Sequence, residues 1–244
     1  MTRPSGSSEP PTGENTRTLS DIGEDAIGFG QLELRTVKDC LLRPAAVLQA
    51  YMVGGPTGGG DYARPLRLYL TLCGILMLQI FLMGGTSTML EGLPPEEIDP
   101  LLEAAGKSRD AFMADADSWM SLVLVPITAG FYAVFSAPLL RWWDKEDLGW
   151  RRSFRATFHF LNVWTIPFVP LGFLAYHPAS LGWSMLVMTA FAFAAFLRVG
   201  KGRWYESPLA GFGKATLITL FNLISTFFAS VPIMAIGVAG GILG

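Results

Sequence analysis

The chain has 244 residues, of which 51% are hydrophobic and only 16% are charged, and its mean hydropathy is +0.40. A soluble domain of this length is normally more polar, so a soluble single-domain enzyme is disfavoured. The 18 basic and 20 acidic residues give a net charge of −2, without the basic excess that draws proteins to nucleic acid. We therefore expect a membrane protein with no nucleic-acid partner.

Residues 1–30 are predicted to form a disordered polar tail. They are rich in proline, glycine and serine, with almost nothing large and apolar before Ile22. Such a segment cannot bury enough apolar surface to offset the entropy lost on ordering. It also lacks the apolar run of about 7–15 residues that a secretory signal peptide needs.

Residues 31–64 are predicted to form a cytosolic segment before the first span. Apolar residues recur at helical spacing from Gln31 to Met52, and Arg43–Pro44 is expected to divide this stretch into two short helices. Thr36, with Asp39 three residues later, is expected to cap a helix start. The amphipathic segment either lies in the lipid headgroup layer or packs on the cytosolic ends of the other helices, and the sequence leaves both alternatives open.

Five apolar stretches follow a glycine-rich hinge at Gly54–Gly60, and each approaches the roughly 20 residues that an α-helix needs to cross a bilayer. They lie at about 68–90, 119–140, 154–176, 181–197 and 215–242. Backbone polar groups in lipid must be paired within the protein. We therefore expect an all-α polytopic membrane bundle of about five transmembrane helices over residues 65–244.

The basic residues indicate the orientation of these spans. All of them except Lys107 and Arg109 lie before the first span, between the second and third, or between the fourth and fifth. Positively charged loops stay on the cytoplasmic side of a membrane. This alternation predicts a cytoplasmic N-terminus and a C-terminus on the outer side.

The outer loop at 91–117 is acidic. Its carboxylates do not follow the spacing of the 12-residue calcium loop, which also needs a central glycine. Pro94–Pro95, followed by Glu96 and Glu97, instead predicts the start of a helix. We expect a solvated acidic face here and no metal site.

The two histidines raise the possibility of a haem or pigment, because a buried imidazole is a common ligand for such groups. His159 and His177 stand 18 residues apart, about 27 Å along an α-helix, so they cannot bind the same metal. We expect both to form hydrogen bonds near the membrane interfaces and no cofactor to be bound. Contact between His159 and a haem or pigment is the alternative.

Polar residues within the spans are sparse, and Asn162 and Asn222 are the candidates for lining a transport pathway. No acidic or basic residue lies deep within a span, so a proton-coupled pump has no evident carrier group. We expect the two amides to link helices by hydrogen bonds, with a pathway as the alternative.

The last span ends in a stripe of small residues spaced four apart, which would let two helix backbones approach closely. Its members are Ala235, Gly237, Ala239, Gly240, Gly241 and Gly244. The contact is either internal to the bundle or made with another membrane protein subunit, and this stripe is the strongest indication of a protein partner in the sequence.

A belt of aromatic and basic residues flanks the cytosolic ends of the spans. Its members are Trp142, Trp143, Trp150, Arg151, Arg152, Arg155, Arg203 and Trp204. Such residues are typical of the headgroup level, where they contact membrane lipids, including anionic headgroups. A basic site for a phosphorylated headgroup or an acidic partner is the alternative.

The sequence contains no nucleophile elbow, phosphate-binding loop, zinc-protease motif or dinucleotide-binding motif. We therefore expect no enzyme activity and predict a non-catalytic scaffold or accessory subunit of a larger membrane complex. A small transporter or a lipid-handling membrane protein is the alternative.

Three short stretches resemble the bacterial integral membrane family called domain of unknown function 3667. They are Arg43–Pro44 with Tyr51, Tyr62 with Pro65 at the entry to the first span, and 203–205 before the last span. The chain departs from that family at Gly54–Gly60, where the family has a basic turn. It also lacks the cysteine-rich head often found at the family's N-terminus, so no metal role of that head carries over. The resemblance implies a bacterial inner-membrane protein and brings no activity.

Overall fold

The computed structural model describes residues 30–83, 86, 90, 94–175 and 181–244. The predicted tail at 1–30 lies outside these residues, apart from Gly30, and so does His177. The described residues form helices and turns and no β-strand, which confirms the expected all-α bundle. The helices are α1 (Gln31–Leu42), α2 (Pro44–Val53), α3 (Pro65–Leu82), α4 (Pro95–Ala105), α5 (Arg109–Trp143), α6 (Gly149–Phe168), α7 (Gly172–Ala175), α8 (Leu181–Gly200) and α9 (Pro208–Leu243).

Four of the described helices are long and apolar enough to cross a membrane, namely α3, α5, α8 and α9. The remaining predicted span, at 154–176, corresponds to α6, a one-turn 3₁₀ helix at Val169–Leu171, and α7. Helix α6 is not among the four, because three arginines, Arg151, Arg152 and Arg155, lie in its first two turns and lower its apolar character. It lies at the centre of the bundle and contacts α3, α5 and α8.

The predicted span at 154–176 begins closer to the α1–α2 layer than α3 does. Asn162 donates from Nδ2 to the carbonyl oxygen of Pro65, the first residue of α3, over 2.8 Å. Gln79, near the end of α3, donates to the carbonyl oxygen of Val169 over 3.0 Å. Helices α3 and α6 therefore run parallel, and only the second half of α6 lies beside the span formed by α3.

Helices α1 and α2 form a layer packed against the first half of α6, and α2 also contacts α8. The break at Arg43–Pro44 is confirmed, but the expected cap at Thr36 is wrong. Helix α1 begins at Gln31, where Glu33 accepts from the Gly30 amide over 2.9 Å, and Thr36 and Asp39 lie buried inside the helix. Of the two alternatives left by the sequence, the structure shows packing on the helix bundle.

The glycine-rich hinge forms a defined turn. Gly55, Gly58, Gly59 and Gly60 adopt the left-handed conformation that glycine tolerates best. A Cβ atom at Gly58 would also lie 2.8 Å from Cδ2 of Tyr62, so this position requires both the conformation and the small size of glycine.

The helix expected at Pro94–Pro95 is confirmed, since α4 begins at Pro95. Lys107, just after α4, forms an ion pair with Asp115 over 2.7 Å and donates to the Gly241 carbonyl oxygen over 3.1 Å. The described part of the acidic segment, from residue 94 onward, is thereby attached to the last turn of α9. Residues 91–93 of this loop lie outside the described residues.

Candidate functional site

The basic residues gather at one end of the bundle, which we call the basic end. It consists of the α1–α2 layer, the turn at 144–148 between α5 and α6, and the turn at 201–207 between α8 and α9. Polar and charged side chains join these three segments.

Asp144 lies at the centre of the basic end. Its carboxylate accepts from Nε of Arg203 over 2.6 Å, from Nη2 of Arg203 over 2.9 Å and from Nε1 of Trp204 over 3.1 Å. The Asp144 side chain is 0% exposed and that of Arg203 is 12% exposed. Bidentate pairs of this kind fix the geometry of both partners, so the pair holds the two turns together.

An open cavity of about 250 Å³ adjoins this ion pair. Arg203 contacts Glu146 and Gln49 across it, each over 3.3 Å. Its rim also carries Lys145 and Lys201, and Lys145 is paired with Glu206. The cavity therefore presents charges of both signs on a frame that the Asp144–Arg203 pair holds in place.

A second network holds the α1–α2 layer to the entry of α3. Asp39 accepts from Nη2 of Arg43 over 2.9 Å and from the Tyr62 hydroxyl over 3.2 Å. The Ala63 amide donates to Thr36 over 2.9 Å, and the Tyr51 hydroxyl donates to the Ala63 carbonyl oxygen over 2.6 Å. The motif residues Arg43, Tyr51 and Tyr62 thus act together to attach the layer.

These contacts shift the ionisation of the groups involved. The hydrogen bond from Arg43, assisted by that from Tyr62, holds the pKa of Asp39 below its ordinary value even though burial opposes the shift. Burial and the hydrogen bond to Asp39 raise the pKa of Tyr62, and burial raises the pKa of Tyr51. Asp39 therefore stays ionised and the two tyrosines stay neutral near pH 7.

His159 is buried beneath the α1–α2 layer. Its Nε2 lies 2.8 Å from the carbonyl oxygen of Pro44, its Nδ1 lies 3.9 Å from Sγ of Cys40, and its ring meets the edge of the Tyr51 ring at 5.5 Å between centroids. Both ring nitrogens thus face protein partners. Axial ligation of a haem or pigment would require the layer to move away from α6.

The predicted aromatic and basic belt divides into two groups. Trp143 and Trp204 are buried against Phe196, with ring centroids 5.6 and 5.5 Å from it, and Arg203 is held in its ion pair. The expectation of lipid contact is therefore wrong for these three residues. Arg155 donates to the Tyr51 carbonyl oxygen over 2.6 Å.

The other belt members remain on the surface. Trp142 and Trp150 are exposed, and so are Arg151 and Arg152. Lipid contact therefore stays a prediction for these four residues.

Gly237, Gly240 and Gly241 of the small-residue stripe on α9 pack inside the molecule, whereas Ala235 and Ala239 are exposed. Gly237 faces Met120, Gly240 faces Trp119 and Gly241 faces Phe112, all on α5. Helices α5 and α9 form the most extensive helix contact among the described residues. Ala235 and Ala239 lie on the same helix and Gly244 adjoins Asp115. The intermolecular alternative is therefore not supported at these glycines, because α5 occupies this face.

Asn162 and Asn222 are buried and bonded to different helices. Asn162 contacts α3 at Pro65, whereas Oδ1 of Asn222 accepts from Ser136 of α5 over 3.0 Å. Both amides link helices by hydrogen bonds, as expected, since Asn162 joins α6 to α3 and Asn222 joins α9 to α5. Asn162, level with the first residue of α3, is not at the middle of a span.

Asp144, Cys40 and Gln49 were missed by sequence reasoning. Asp144 carried one signal, as an acidic residue placed directly after two tryptophans in a basic turn, whereas Cys40 and Gln49 carried none.

Within the described residues, no three metal-binding side chains of the His, Cys, Asp and Glu types come together. Comparisons with known protein families, curated proteins and solved structures find no match to this chain.

Proposed function

We propose that this protein is a non-catalytic scaffold or accessory subunit of a larger membrane complex, and that its basic end docks the partner. The proposal includes a multi-pass topology in a bacterial inner membrane, with a cytoplasmic N-terminus. The concentration of basic residues at one end supports this orientation.

One observation carries the proposal, namely the cavity beside Asp144 and Arg203. Three chain segments meet there before any partner arrives, two of them joined by the ion pairs of Arg203 and the third by its hydrogen bond to Gln49. A surface that is already ordered loses less conformational entropy on binding than a flexible one. The exposed groups on its rim, including Lys201 and Glu146, fit a polar partner segment that also carries both signs of charge.

Extraction of the tagged protein from native membranes in mild detergent, followed by sizing and mass spectrometry, tests this proposal. We expect a stoichiometric complex that Lys201→Glu dissociates, because Lys201 is exposed on the cavity rim and lies outside the Asp144 pair. Arg109→Glu at the opposite end of α5 is the matched control and should leave the complex intact. A protein that elutes alone, or a complex that both variants retain, would contradict the proposal.

A transporter or lipid-handling role is the second candidate, and unpartnered polar atoms on α6 and α9, which both pack against α5, favour it. Nδ2 of Asn222, Nε1 of Trp164 and Oγ1 of Thr219 are buried without a hydrogen-bond partner among the described residues. Tyr132 of α5 lies between α6 and α9, because its ring contacts Trp164 of α6 and its hydroxyl lies 2.9 Å from Oγ1 of Thr226 on α9. Buried polar groups normally have partners, so a polar solute would find donors here.

Solute flux and lipid scrambling in proteoliposomes test this second role. Flux that Asn222→Leu abolishes, in a protein that remains monodisperse, would support it. Vesicles that are no more permeable than protein-free controls would exclude it.

A further inference from the structure

The surface of the basic end carries an open groove of about 440 Å³ between the last turn of α5 and the first turn of α6. Pro138, Trp142 and Trp150 contribute its apolar lining. The two indoles are 76% and 53% exposed. Since Trp142 lies in the last turn of α5, a helix that is long and apolar enough to cross a membrane, these indoles lie at the level where tryptophans meet lipid headgroups.

The polar lining of this groove carries both signs of charge. Its members are Arg141, Asp144, Lys145, Glu146 and Asp147. The Asp144 side chain is buried in its pair with Arg203. The other four charged residues are also paired, Arg141 with Asp147, Lys145 with Glu206 and Glu146 with Arg203, and each of these pairs has at least one partner that is more than half exposed. Solvent-exposed ion pairs are weak, so the charged groups of a zwitterionic headgroup can replace them. The Asp147 side chain is 83% exposed and lies 3.3 Å from the Arg141 guanidinium, which itself lies 5.0 Å from the centroid of the Trp150 ring.

This mixture of charges selects among headgroups. A purely anionic headgroup would be repelled by the carboxylates of Glu146 and Asp147. A trimethylammonium group could not donate hydrogen bonds to them, whereas a primary ammonium has three N–H donors. Indole faces also attract a cation within about 6 Å.

We propose that the groove binds the headgroup of a phosphoethanolamine lipid. The phosphate lies beside Arg141 and Lys145, the primary ammonium lies beside Asp147 and Glu146, and the indoles of Trp142 and Trp150 flank the headgroup. Lys145 and Glu146 line both this groove and the cavity proposed to dock the partner, so lipid and partner share these two residues. Lipid binding by the chain alone does not depend on the partner.

Native mass spectrometry of the full chain in mild detergent tests this site. The probes are phosphatidylethanolamine, phosphatidylcholine and phosphatidylglycerol with identical acyl chains. We expect phosphatidylethanolamine to bind most tightly, and Asp147→Asn to weaken that binding by about tenfold through loss of a charge-assisted hydrogen bond. The Gly149 amide donates to the Asp147 carboxylate over 3.3 Å, and asparagine keeps a side-chain oxygen that can accept this hydrogen bond, so the turn is preserved.

Trp150→Ala should weaken phosphatidylethanolamine binding by about threefold. Trp183→Ala is the matched control, because Trp183 is also exposed but lies on α8. Equal binding of the three lipids, preference for phosphatidylglycerol, or equal losses with both tryptophan variants would overturn the proposal. Displacement of the lipid by free phosphoethanolamine at the same concentration would likewise overturn it, because the site would then serve a soluble ligand.

Discussion

Arg203 meets Asp144 through two hydrogen bonds, from Nε over 2.6 Å and from Nη2 over 2.9 Å, although the two residues are far apart in the chain. The carboxylate has no exposed surface, and Trp204 supplies it with a third donor. The pair joins the turn after α5 to the turn after α8, and the Asp144 carboxylate in it is shielded from water.

Asp144→Ala should destabilise the protein by about 3–5 kcal/mol, because it leaves the largely buried guanidinium of Arg203 without its main partner. Reversible unfolding in mixed micelles, followed by tryptophan fluorescence, would measure the change. The double variant Asp144→Ala with Arg203→Met should recover part of the loss, since it removes the unpaired charge as well.

Glu146→Gln is the control for this experiment. Glu146 also pairs with Arg203, but its side chain is 60% exposed and solvent screens the interaction, so we expect a loss under about 1 kcal/mol. Similar losses for Asp144→Ala and Glu146→Gln would show that burial of the Asp144 pair has no energetic importance.

Gly241→Ala should destabilise the contact between α5 and α9. A Cβ atom at Gly241 would lie 2.6 Å from Cε2 of Phe112, and overpacking of this kind costs about 1–3 kcal/mol. Phe112→Leu in the same chain should restore part of the stability, because it removes the ring that the new methyl group meets. Unfolding in micelles measures both effects.

Gly213→Ala is the matched control on α9, since no atom lies within 4 Å of the Cβ position there. We expect it to be neutral or to stabilise the helix by up to about 1 kcal/mol. If Gly241→Ala instead left stability unchanged and altered the oligomeric state, the small-residue stripe would have to face another subunit.

Cys40 should resist alkylation in the folded protein. Burial raises its pKa to about 12 from the ordinary value of 9.0, so only a minute fraction is thiolate near pH 8. The neutral thiol favours the folded state below about pH 9, and this contribution is lost as the pH rises towards the folded-state pKa.

Maleimide labelling of the Cys73→Ser variant isolates Cys40 and measures its reactivity. Leu42→Cys in the Cys40→Ser, Cys73→Ser background supplies an exposed thiol on the same helix for comparison. We expect Leu42→Cys to react much faster, and Cys40 to react at that rate only after denaturation. Rapid labelling of Cys40 at pH 7 would mean that the α1–α2 layer opens readily.

Asp39→Asn should weaken the α1–α2 layer and change its response to acid. The lowered pKa of Asp39 gives stability that is fully present above its ordinary value of 3.8 and is lost as the pH falls through the lower folded-state value. We expect the variant to be less stable at pH 7 and to lose less stability between pH 4 and pH 2.5.

Unfolding of the two proteins across this pH range supplies the comparison. Because the Arg43 side chain is 62% exposed, Arg43→Gln should cost less at pH 7 than Asp39→Asn. Parallel pH curves for the original and Asp39→Asn proteins would show that Asp39 does not contribute to the acid response.

Local sequence patterns predicted where several helices lie and where they begin or end. The apolar length of α5 and α9, the break at Arg43–Pro44 and the helix start at Pro95 all follow from hydropathy and proline stereochemistry. The helix cap expected at Thr36 is wrong because the Thr36 hydroxyl accepts from the amide of Ala63. This partner is 27 residues away in the chain, and a capping rule considers only neighbouring residues. A polar side chain that resembles a helix cap in the sequence can instead form a hydrogen bond with a residue that is distant in the chain.

The orientation of side chains within the candidate site could not be predicted. Trp142 and Trp143 are adjacent in the chain and alike in chemistry, but a rotation of about 100° per residue places one on the surface and the other against Phe196. The small residues of α9 predicted a close helix contact without identifying α5 as the partner. Asp144 gained its importance only when the fold brought Arg203 to it.

The central position of α6 has a consequence for biogenesis. Its Arg155, His159 and Asn162 side chains contact the main-chain carbonyl oxygens of Tyr51, Pro44 and Pro65, which all precede α6 in the chain. A segment with this many polar groups partitions poorly into lipid by itself. During synthesis from the N-terminus, the acceptors for α6 are therefore made before α6 emerges, and its insertion depends on helices that are already in place.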